Sequence, residues 1–361
     1  MESERRSLSL SILLILINSW RRQADVFCNS QSVPGRLVFE ENFDSNDLNK
    51  AVWSREVKIA QEPDYQFCVY HKHEETIQIE GGILRIKPRL FEDAYGEDSV
   101  LLGQLRLADC TSSIPQECQR RALSFHILPP VISAKLTTRN YFDFEYGIIE
   151  IRAKFPEGDW LYPEMWLEPL YKSYDSRYAN ARIDLGRVRG NARLMSSVES
   201  HEELGSRLLQ FGVGNGTASV FSEELVSKLK GQGSRGWNRD FHVYRTKWTS
   251  KGFTFYVDGE LVGKLIPTEI GWSKFDGPEL VDMMPFDEKF YLSIGLGVGG
   301  IRVFPDRTQT DTYVKPWKNT GAKAMLQFWQ SKSMWLPSWQ KNQGANTALE
   351  IDYIRVWSLD S

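Results

Sequence analysis

The chain has 361 residues, of which 12% are aromatic, and its formal net charge is −3 with a pI near 6.1. This length fits one large β-sandwich as well as two average domains. The slightly acidic balance argues against nucleic acid as a partner, because proteins that bind the phosphate backbone are usually basic.

The first residues have the organisation of a secretory signal. Arg5 and Arg6 precede an apolar run over residues 8–17, which has the length of a signal-peptide core and is too short to span a bilayer comfortably. We therefore predict a signal peptide over residues 1–25, an extracellular mature chain and no membrane span in that chain. Arg21 and Arg22 follow the run without a clear cleavage motif, so an uncleaved anchor is the alternative.

The next segments show the period-two alternation that is typical of strands. Residues 77–88 form two short apolar runs joined at a Gly-Gly pair, which predicts a hairpin. In residues 146–155, apolar side chains from Ile149 to Phe155 alternate with charged ones. This pattern predicts a strand with one buried face and one solvent-exposed face.

The remaining elements are also mostly strands. A helix is predicted over residues 222–230, where acidic residues follow Ser222 as they do behind a helix cap. Residues 253–265 predict a second hairpin, joined at an Asp-Gly pair. Residues 290–300 alternate large apolar side chains with a nearly bare face of serine and glycine, which suits close approach of a backbone or ligand. Residues 349–357 predict a last strand.

These elements predict the fold class. Many strands separated by turn signals, with hardly any helix and no linker or repeat, indicate one all-β domain over residues 35–361. A large antiparallel sandwich is the architecture that fits this pattern.

The four cysteines form an even set, which fits an oxidising compartment. A disulfide between Cys110 and Cys118 would close a short loop and stabilise the fold by about 2.5 kcal/mol. The alternative is a pair of free thiols. Whether Cys28 pairs with Cys68 stays open.

Two further patterns concern modification and metal binding. Asn215 begins an Asn-Gly-Thr sequon, which we expect to be glycosylated if the chain is secreted. The five histidines are scattered apart from His71 and His73, and this spacing does not suit a zinc site. We therefore predict no metal and no other cofactor.

Residues 180–191 read NARIDLGRVRGN and carry the most informative pattern. In a strand, Arg182 and Asp184 point to the same face. Gly186 interrupts the alternation, and a bulge there would bring Arg187 to that face as well. Without the bulge, Arg187 would face the opposite side.

This stretch resembles the Glu-x-Asp-x-x-Glu strand of glycoside hydrolase family 16, the laminarinase type that cleaves β-1,3-glucans. Similar text surrounds it at residues 39–44, 136–169, 241–248 and 256–260. Residues 117–140 are similar to the arthropod β-1,3-glucan recognition proteins, also called Gram-negative bacteria-binding proteins. The resemblance implies a jelly-roll β-sandwich of two curved antiparallel sheets, with a glycan groove on the concave side.

The catalytic positions of the motif have changed. A retaining glycosidase needs two carboxyl groups about 5 Å apart, one as nucleophile and one as acid and base. On the family motif these positions are Arg182 and Arg187, and Asp184 is the assisting aspartate. Arginine stays protonated and can do neither task. We therefore predict a non-catalytic member, in which the arginines lower the pKa of Asp184 and Glu164 is the only other nearby carboxyl worth considering.

The resemblance also suggests residues that contact a glycan. Trp160 and Trp166 are similar to the cleft-wall aromatics, whose faces can stack on sugar rings. Polar residues precede Trp160, so we expect it to be exposed, whereas Trp166 fits the groove or the core equally well. Glu164, His242 and Tyr244 are the other predicted glycan-binding residues, although a single histidine is more often structural.

Arg182 and Arg187 allow two interpretations. They can neutralise Asp184 and neighbouring acids without further function. Alternatively, a positively charged groove could accept the phosphate or carboxylate groups of microbial polymers, since guanidinium groups suit such anions.

The function predicted from these features is that of a secreted pattern-recognition protein in innate immunity. Its expected partners are microbial cell-wall polysaccharide, namely β-1,3-glucan and also lipopolysaccharide or teichoic acid, and an immune serine protease. The alternatives are an active endo-β-1,3-glucanase and a protein-binding scaffold. The separate N-terminal glucan-binding module usual in the group that it resembles is not expected in this chain.

Overall fold

The computed structural model describes residues 35–171, 180–198, 201–216, 221–267, 272 and 283–359. The predicted signal peptide, Cys28 and the threonine of the Asn215 sequon lie outside these residues. No helix in the described part of the chain is long and apolar enough to cross a lipid bilayer.

The described chain is built mainly from strands. In chain order they are β1 (Leu37–Glu41), β2 (Ser54–Arg55), β3 (Lys58–Ile59), β4 (Cys68–Tyr70), β5 (Ile77–Glu80), β6 (Ile83–Ile86), β7 (Arg89–Leu90), β8 (Gln104–Arg106), β9 (Gln119–Arg121), β10 (Val131–Ser133), β11 (Lys135–Thr137), β12 (Asp143–Phe144), β13 (Gly147–Lys154), β14 (Leu161–Pro169), β15 (Arg182–Arg187), β16 (Met195–Ser196), β17 (Leu208–Gly216), β18 (Phe221–Leu229), β19 (His242–Thr249), β20 (Gly252–Val257), β21 (Glu260–Leu265), β22 (Phe290–Val298), β23 (Thr308–Gln309) and β24 (Leu349–Trp357). The helices are α1 (Phe91–Tyr95), α2 (Ser99–Leu102), α3 (Pro115–Cys118), α4 (Ala324–Gln330) and α5 (Lys332–Trp339), with 3-10 segments at Glu74–Thr76 and Lys341–Thr347.

Two eight-stranded antiparallel sheets contain most of these strands. Sheet A has the order β21-β20-β19-β13-β24-β6-β5, with β1 also paired to β24. Sheet B has the order β18-β17-β15-β14-β22-β11-β2, with β12 also paired to β22. The prediction of an all-β sandwich is therefore confirmed.

Aromatic side chains fill the space between the two sheets. Phe211 of sheet B lies 5.3 Å from Phe255 of sheet A, measured between ring centroids, and Phe290 of sheet B lies 5.3 Å from Trp248 of sheet A. Because side chains alternate along a strand, the neighbours of these residues on sheet B point to its other face. We call this second face of sheet B the site face, because it carries Arg182 and Asp184.

Both predicted hairpins are confirmed. β5 pairs with β6 around Gly81 and Gly82, and β20 pairs with β21 around Asp258 and Gly259. All four turn residues have positive φ angles. Such turns match the twist of the strands they connect, which is why Gly-Gly and Asp-Gly pairs predict them well.

The predicted solvent-exposed face of residues 146–155 is only partly exposed. Glu150 in the middle of β13 is buried, and it accepts hydrogen bonds from Arg245 Nε at 2.8 Å and Tyr353 Oη at 2.9 Å. Both partners come from the strands on either side of β13. The neighbouring strands therefore cover this face with charged pairs that the alternation itself does not reveal.

The predicted helix at residues 222–230 is wrong, because this segment forms β18. All nine of its residues pair with β17, from Phe221 opposite Gly216 to Leu229 opposite Leu208. Val226 packs against Gly263 of β21. The mixture of charged and apolar residues in this short segment is compatible with a helix or with an edge strand. The segment forms a strand because it pairs with β17 along its whole length.

The predicted disulfide between Cys110 and Cys118 is confirmed and closes the loop around α3. Cys68 is fully buried in β4 and forms no disulfide with any described residue.

Candidate functional site

Of the two alternatives for β15, the structure has the bulge. Arg182 lies opposite Gly214 and Asp184 opposite Gly212, but the register shifts before Arg187, which lies opposite Gln210. Gly186 supplies the break with a φ of 139°, a backbone conformation that other residues rarely adopt. As a result Arg187 Nη1 lies 3.5 Å from Asp184 Oδ2, and all three motif side chains share the site face.

Two carboxylates from outside the motif complete an ion network. Arg182 donates to Asp64, and its Nη2 donates to Glu223 Oε1 at 2.6 Å. Arg187 donates from Nη1 and Nη2 to the two oxygens of Glu223, at 3.2 and 3.3 Å. We call Asp64, Arg182, Asp184, Arg187 and Glu223 the central cluster. All of them except Glu223 are at most 3% exposed.

The electrostatics of the central cluster favour a fixed set of charges. Burial opposes ionisation of Glu223, but Arg187 and Arg182 outweigh it and hold the pKa of Glu223 well below its usual range. For Asp184 the balance is reversed, since burial raises its pKa although Arg187 and Arg182 act in the opposite direction. The arginines therefore act in the predicted direction, but the predicted net lowering of the pKa of Asp184 is wrong, because it left out desolvation.

Aromatic rings enclose the arginine at the nucleophile position. The guanidinium carbon of Arg182 lies 4.6 Å from the ring centroid of Trp166 and 4.9 Å from that of Phe221. Lys135 also lies over the Trp166 ring, at 4.8 Å. Trp166 thus lies on the site face and is buried beside these two cations, and its contact with a glycan stays a prediction.

Glu164 lies on the site face of β14 and is completely buried. Gln66 Nε2 donates to its Oε1 at 2.7 Å, and Tyr70 Oη lies 2.8 Å from its Oε2. Burial raises the pKa of Glu164 to about 7, although Lys135 and the Tyr70 hydrogen bond act against the rise. The bare face of β22 leaves room for the Tyr162 ring of β14, because a Cβ on Gly297 would lie 2.2 Å from that ring.

The expectation that Trp160 is exposed is wrong. Its φ of 68° turns the side chain inward, and its ring lies 4.9 Å from Trp317 and 5.2 Å from Phe304. Trp160 is 0% exposed, so the polar residues before it do not determine its environment.

His242 and Tyr244 lie in β19 of sheet A and are not brought together with the central cluster. Tyr244 is buried between the sheets, with its ring stacked 4.4 Å from Phe155, so it cannot line an open groove. His242 is half-buried, and its Nδ1 lies 2.6 Å from Asp258 Oδ2. Tyr244 is therefore a core residue, because the alternation of β19 points it inward.

Asp64 and Glu223 were missed by the sequence analysis. Glu223 falls within the segment predicted as a helix, where nothing placed it beside the motif. Asp64 is separated from Arg182 by 118 residues, and no local pattern marks it. The one signal for Glu223 would have been a prediction that β18 is a strand in the same sheet as β15.

The remaining predicted positions and possible metal ligands can be placed briefly. Asn215 lies in β17 and is partly exposed, and its glycosylation stays a prediction. Within the described ranges, no three His, Cys, Asp or Glu side chains are grouped so as to hold a metal ion.

Comparison with known proteins identifies several relatives. Residues 116–281 match the model of glycosyl hydrolases family 16. The chain is 37% identical over 338 residues to β-1,3-glucan-binding protein 2 of Manduca sexta, covering 90% of this chain and 65% of that protein. It is 33% identical over 353 residues to the β-1,3-glucan-binding protein of Penaeus monodon, covering 90% and 91%. It is 35% identical to Gram-negative bacteria-binding protein 1 of Drosophila melanogaster, covering 91% and 65%.

Solved structures show the same fold. The endo-β-1,3-glucanase of Pyrococcus furiosus matches with a TM-score of 0.58 at 19% identity, covering 91% of this chain and 95% of that one. The laminarinase of Rhodothermus marinus matches with a TM-score of 0.57 at 21% identity, covering 91% and 100%. These matches confirm the jelly-roll sandwich. The chain spans about 65% of the length of the Manduca sexta relative.

Proposed function

This chain belongs to the family of β-1,3-glucan-binding proteins, and from that premise we propose that it is a secreted, non-catalytic pattern-recognition protein of innate immunity. Its proposed ligand is microbial surface β-1,3-glucan, the polysaccharide that the names of its relatives in Manduca sexta and Penaeus monodon contain. The extracellular location is part of the proposal and agrees with the Cys110–Cys118 disulfide, because disulfides persist in oxidising compartments.

The observation that supports a non-catalytic role is the pairing of Arg182 and Arg187 with Glu223. A retaining mechanism needs a nucleophilic carboxylate and a proton-donating carboxyl. Both oxygens of Glu223 already accept hydrogen bonds from guanidinium groups. Asp184 is buried beside Arg187, so no described carboxylate of the central cluster is free to attack a sugar.

Glu164 does not fill the missing acid role in this proposal. Its pKa of about 7 would suit a general acid, but Gln66 and Tyr70 cover its two oxygens. A general acid must come within hydrogen-bonding distance of the glycosidic oxygen. Residual hydrolysis would therefore require displacement of the segment that carries both covering residues.

Two measurements on the purified secreted chain test the proposal. We expect co-sedimentation with insoluble β-1,3-glucan, no sedimentation with cellulose, and no release of reducing ends from laminarin. Reducing ends released at the rate of a glucanase would overturn the non-catalytic role. A folded chain that stays in solution with β-1,3-glucan would overturn the proposed ligand.

A protein partner is a second candidate, favoured by one observation. Leu102 and Leu123 are 77% and 73% exposed, and the hydrogen bond from Ala122 N to Gly103 O brings their segments together. Exposed apolar patches often mark protein interaction sites. We propose an immune serine protease as this partner. Leu102→Ser with Leu123→Ser should abolish glucan-triggered protease activation while glucan sedimentation is retained, and unchanged activation would refute it.

A further inference from the structure

Apart from the buried central cluster, an open site lies at one end of the sandwich. It is a cavity of about 910 Å³, which we call the end cavity. Its lining residues come from the segments 157–159, 190–193, 206–207, 233–239, 310–312 and 338–346, and Asn191, Trp237 and Trp339 within these ranges are not among them. The first of these joins β13 to β14, and residues 233–239 join β18 to β19. No member of the central cluster lines the end cavity.

A fixed hydrogen-bond network holds Asp159 in the cavity wall. Asp159 Oδ2 accepts from Tyr313 Oη at 2.6 Å, and its Oδ1 accepts from Asn191 Nδ2 at 3.2 Å. The backbone of Asp159 is also held, because its N–H donates to Ser338 Oγ at 2.8 Å and its carbonyl accepts from Trp339 Nε1 at 2.9 Å. Both carboxylate oxygens of Asp159 are therefore already engaged, and this wall is positioned before any ligand arrives.

The end cavity is positively charged although the whole chain is negative. Its lining contains five cations and three acids, a formal charge of +2, which becomes +1 when Glu203, the partner of Arg207 from outside the lining, is included; the whole chain carries −3. The cations are Arg193, Arg207, Arg235, Arg239 and Lys341, and the acids are Glu157, Asp159 and Asp311.

Three of the five cations are paired and two are not. Arg193 pairs with Asp311 at 3.1 Å, Arg207 with Glu203 at 2.9 Å and Arg239 with Glu157 at 2.8 Å. Arg235 and Lys341 are exposed and form no ion pair within the described part of the chain, although the charge of Lys341 partly offsets the rise that burial causes in the pKa of Asp159. They come from different segments, so they present two separate positive groups to the same space.

The other lining residues indicate the chemistry of the ligand. They are mostly serine, threonine, asparagine and glycine, and none of the lining residues is aromatic. Neutral glucan is typically recognised by aromatic rings stacked on its sugar faces, and pockets for apolar small molecules are lined by apolar side chains. Hydroxyl and amide groups beside free cations instead suit a hydroxyl-rich ligand that carries negative charge.

We propose that the end cavity binds an anionic saccharide, with Arg235 and Lys341 contacting its phosphate or carboxylate groups. This site is separate from the glucan-binding function proposed above and does not depend on it. The chain would then recognise a charged microbial polymer through the end of the sandwich, while the arginines of the central cluster stay committed to internal carboxylates.

The test measures binding of two fluorescent probes, an oligo(glycerol phosphate) and an oligogalacturonate, by anisotropy at low and high salt. We expect saturable binding of at least one probe by the full chain, weakened by salt because the contacts are charged. Preference for the first probe identifies phosphate as the anion, and preference for the second identifies carboxylate. Binding of neither probe would overturn the proposal.

Matched variants locate the site. Arg235→Ala with Lys341→Ala should weaken probe binding about tenfold or more, since each substitution removes a charged hydrogen-bond donor. Lys50→Ala with Lys318→Ala makes the same charge change at exposed positions outside the cavity lining and should leave binding unchanged. Equal losses of probe binding in both double variants would show that only the net charge of the chain matters, and this would overturn the proposed site. Loss of β-1,3-glucan sedimentation in the cavity variant would overturn the separation of the two sites.

Discussion

In the central cluster, two arginines are shared among three carboxylates and are at most 3% exposed. In the end cavity, five cations face three acids, and two of the cations are exposed without an ion pair among the described residues. When a buried guanidinium is separated from its carboxylate, both charges stay buried without a partner, and this costs a large free energy. An exposed guanidinium can instead exchange bound water for a ligand. Burial and pairing, more than residue type, therefore determine whether an arginine stabilises the fold or is available to bind a ligand.

The largest effect is expected when the charge of the central cluster is reversed. Arg182→Glu with Arg187→Glu would place five carboxylates together, four of them at buried positions, with no guanidinium among them, so we expect no folded protein at pH 7. Circular dichroism and a thermal melt measure this directly. Reversing the two free cavity cations, Arg235→Glu with Lys341→Glu, should leave a normal melt. A folded protein with the reversed central cluster would show that these arginines are not needed to hold the fold together.

A single substitution measures how much more a buried ion pair contributes to stability than an exposed one. Arg182→Met keeps an unbranched side chain between Trp166 and Phe221 but leaves Asp64 and Glu223 without this cation. We expect the free energy of unfolding to fall by about 3–5 kcal/mol, as is typical when one partner of a buried pair is removed. Equilibrium unfolding in urea measures the loss.

The matched control for that substitution is Arg193→Met in the end cavity. Arg193 and its partner Asp311 have side chains that are 56% and 64% exposed. Exposed pairs contribute about 0–1 kcal/mol, so the control should stay within that range. Equal losses at the two positions would show that burial does not separate the regions.

The third prediction concerns the pH dependence contributed by Glu164. Its pKa is raised from 4.5 to about 7 in the folded chain, so the folded state retains the proton after the unfolded state has lost it. The contribution to stability is full below about pH 4.5 and is lost as the pH rises through 7, by about 3 kcal/mol in total. Unfolding curves of the wild type and of Glu164→Gln across this pH range isolate the contribution of Glu164 to the free energy of unfolding. A difference between them that does not vary with pH would contradict it.

The smallest effect is expected in the end cavity. Arg235→Ala with Lys341→Ala should change the free energy of unfolding by no more than about 0.5 kcal/mol, since exposed side chains without partners contribute little to stability. The same urea measurement tests this. A loss of several kcal/mol would show that these cations support the fold, and any loss of ligand binding would then need another explanation.

Much of the fold could be predicted because its signals are local. The turns at Gly81 and Asp258 and the bulge at Gly186 each depend on a backbone conformation that only a few residue types adopt readily. The alternation along residues 290–298 likewise predicts a strand, although it does not reveal that all nine residues of β22 are buried.

The site could be predicted less well because its determinants are distant in the sequence. The motif placed Arg182, Asp184 and Arg187 on one face, but Asp64 and Glu223, which neutralise the arginines, come from other elements. Burial raised the pKa of Asp184, and burial depends on the segments that cover the site face. A reversed backbone angle at Trp160 also overrode the polarity of its neighbours.

The position of β24 has a consequence for how the chain folds during synthesis. This strand, Leu349–Trp357, lies inside sheet A, where it pairs with β13 on one side and with β6 and β1 on the other. A nascent chain that has not yet emerged past residue 349 therefore lacks the strand that joins the two halves of sheet A. Such non-local pairing slows folding and leaves strand edges open to association. We expect the sheet to close only after translation has passed this strand, so that the ribosome-bound chain relies on chaperones until then.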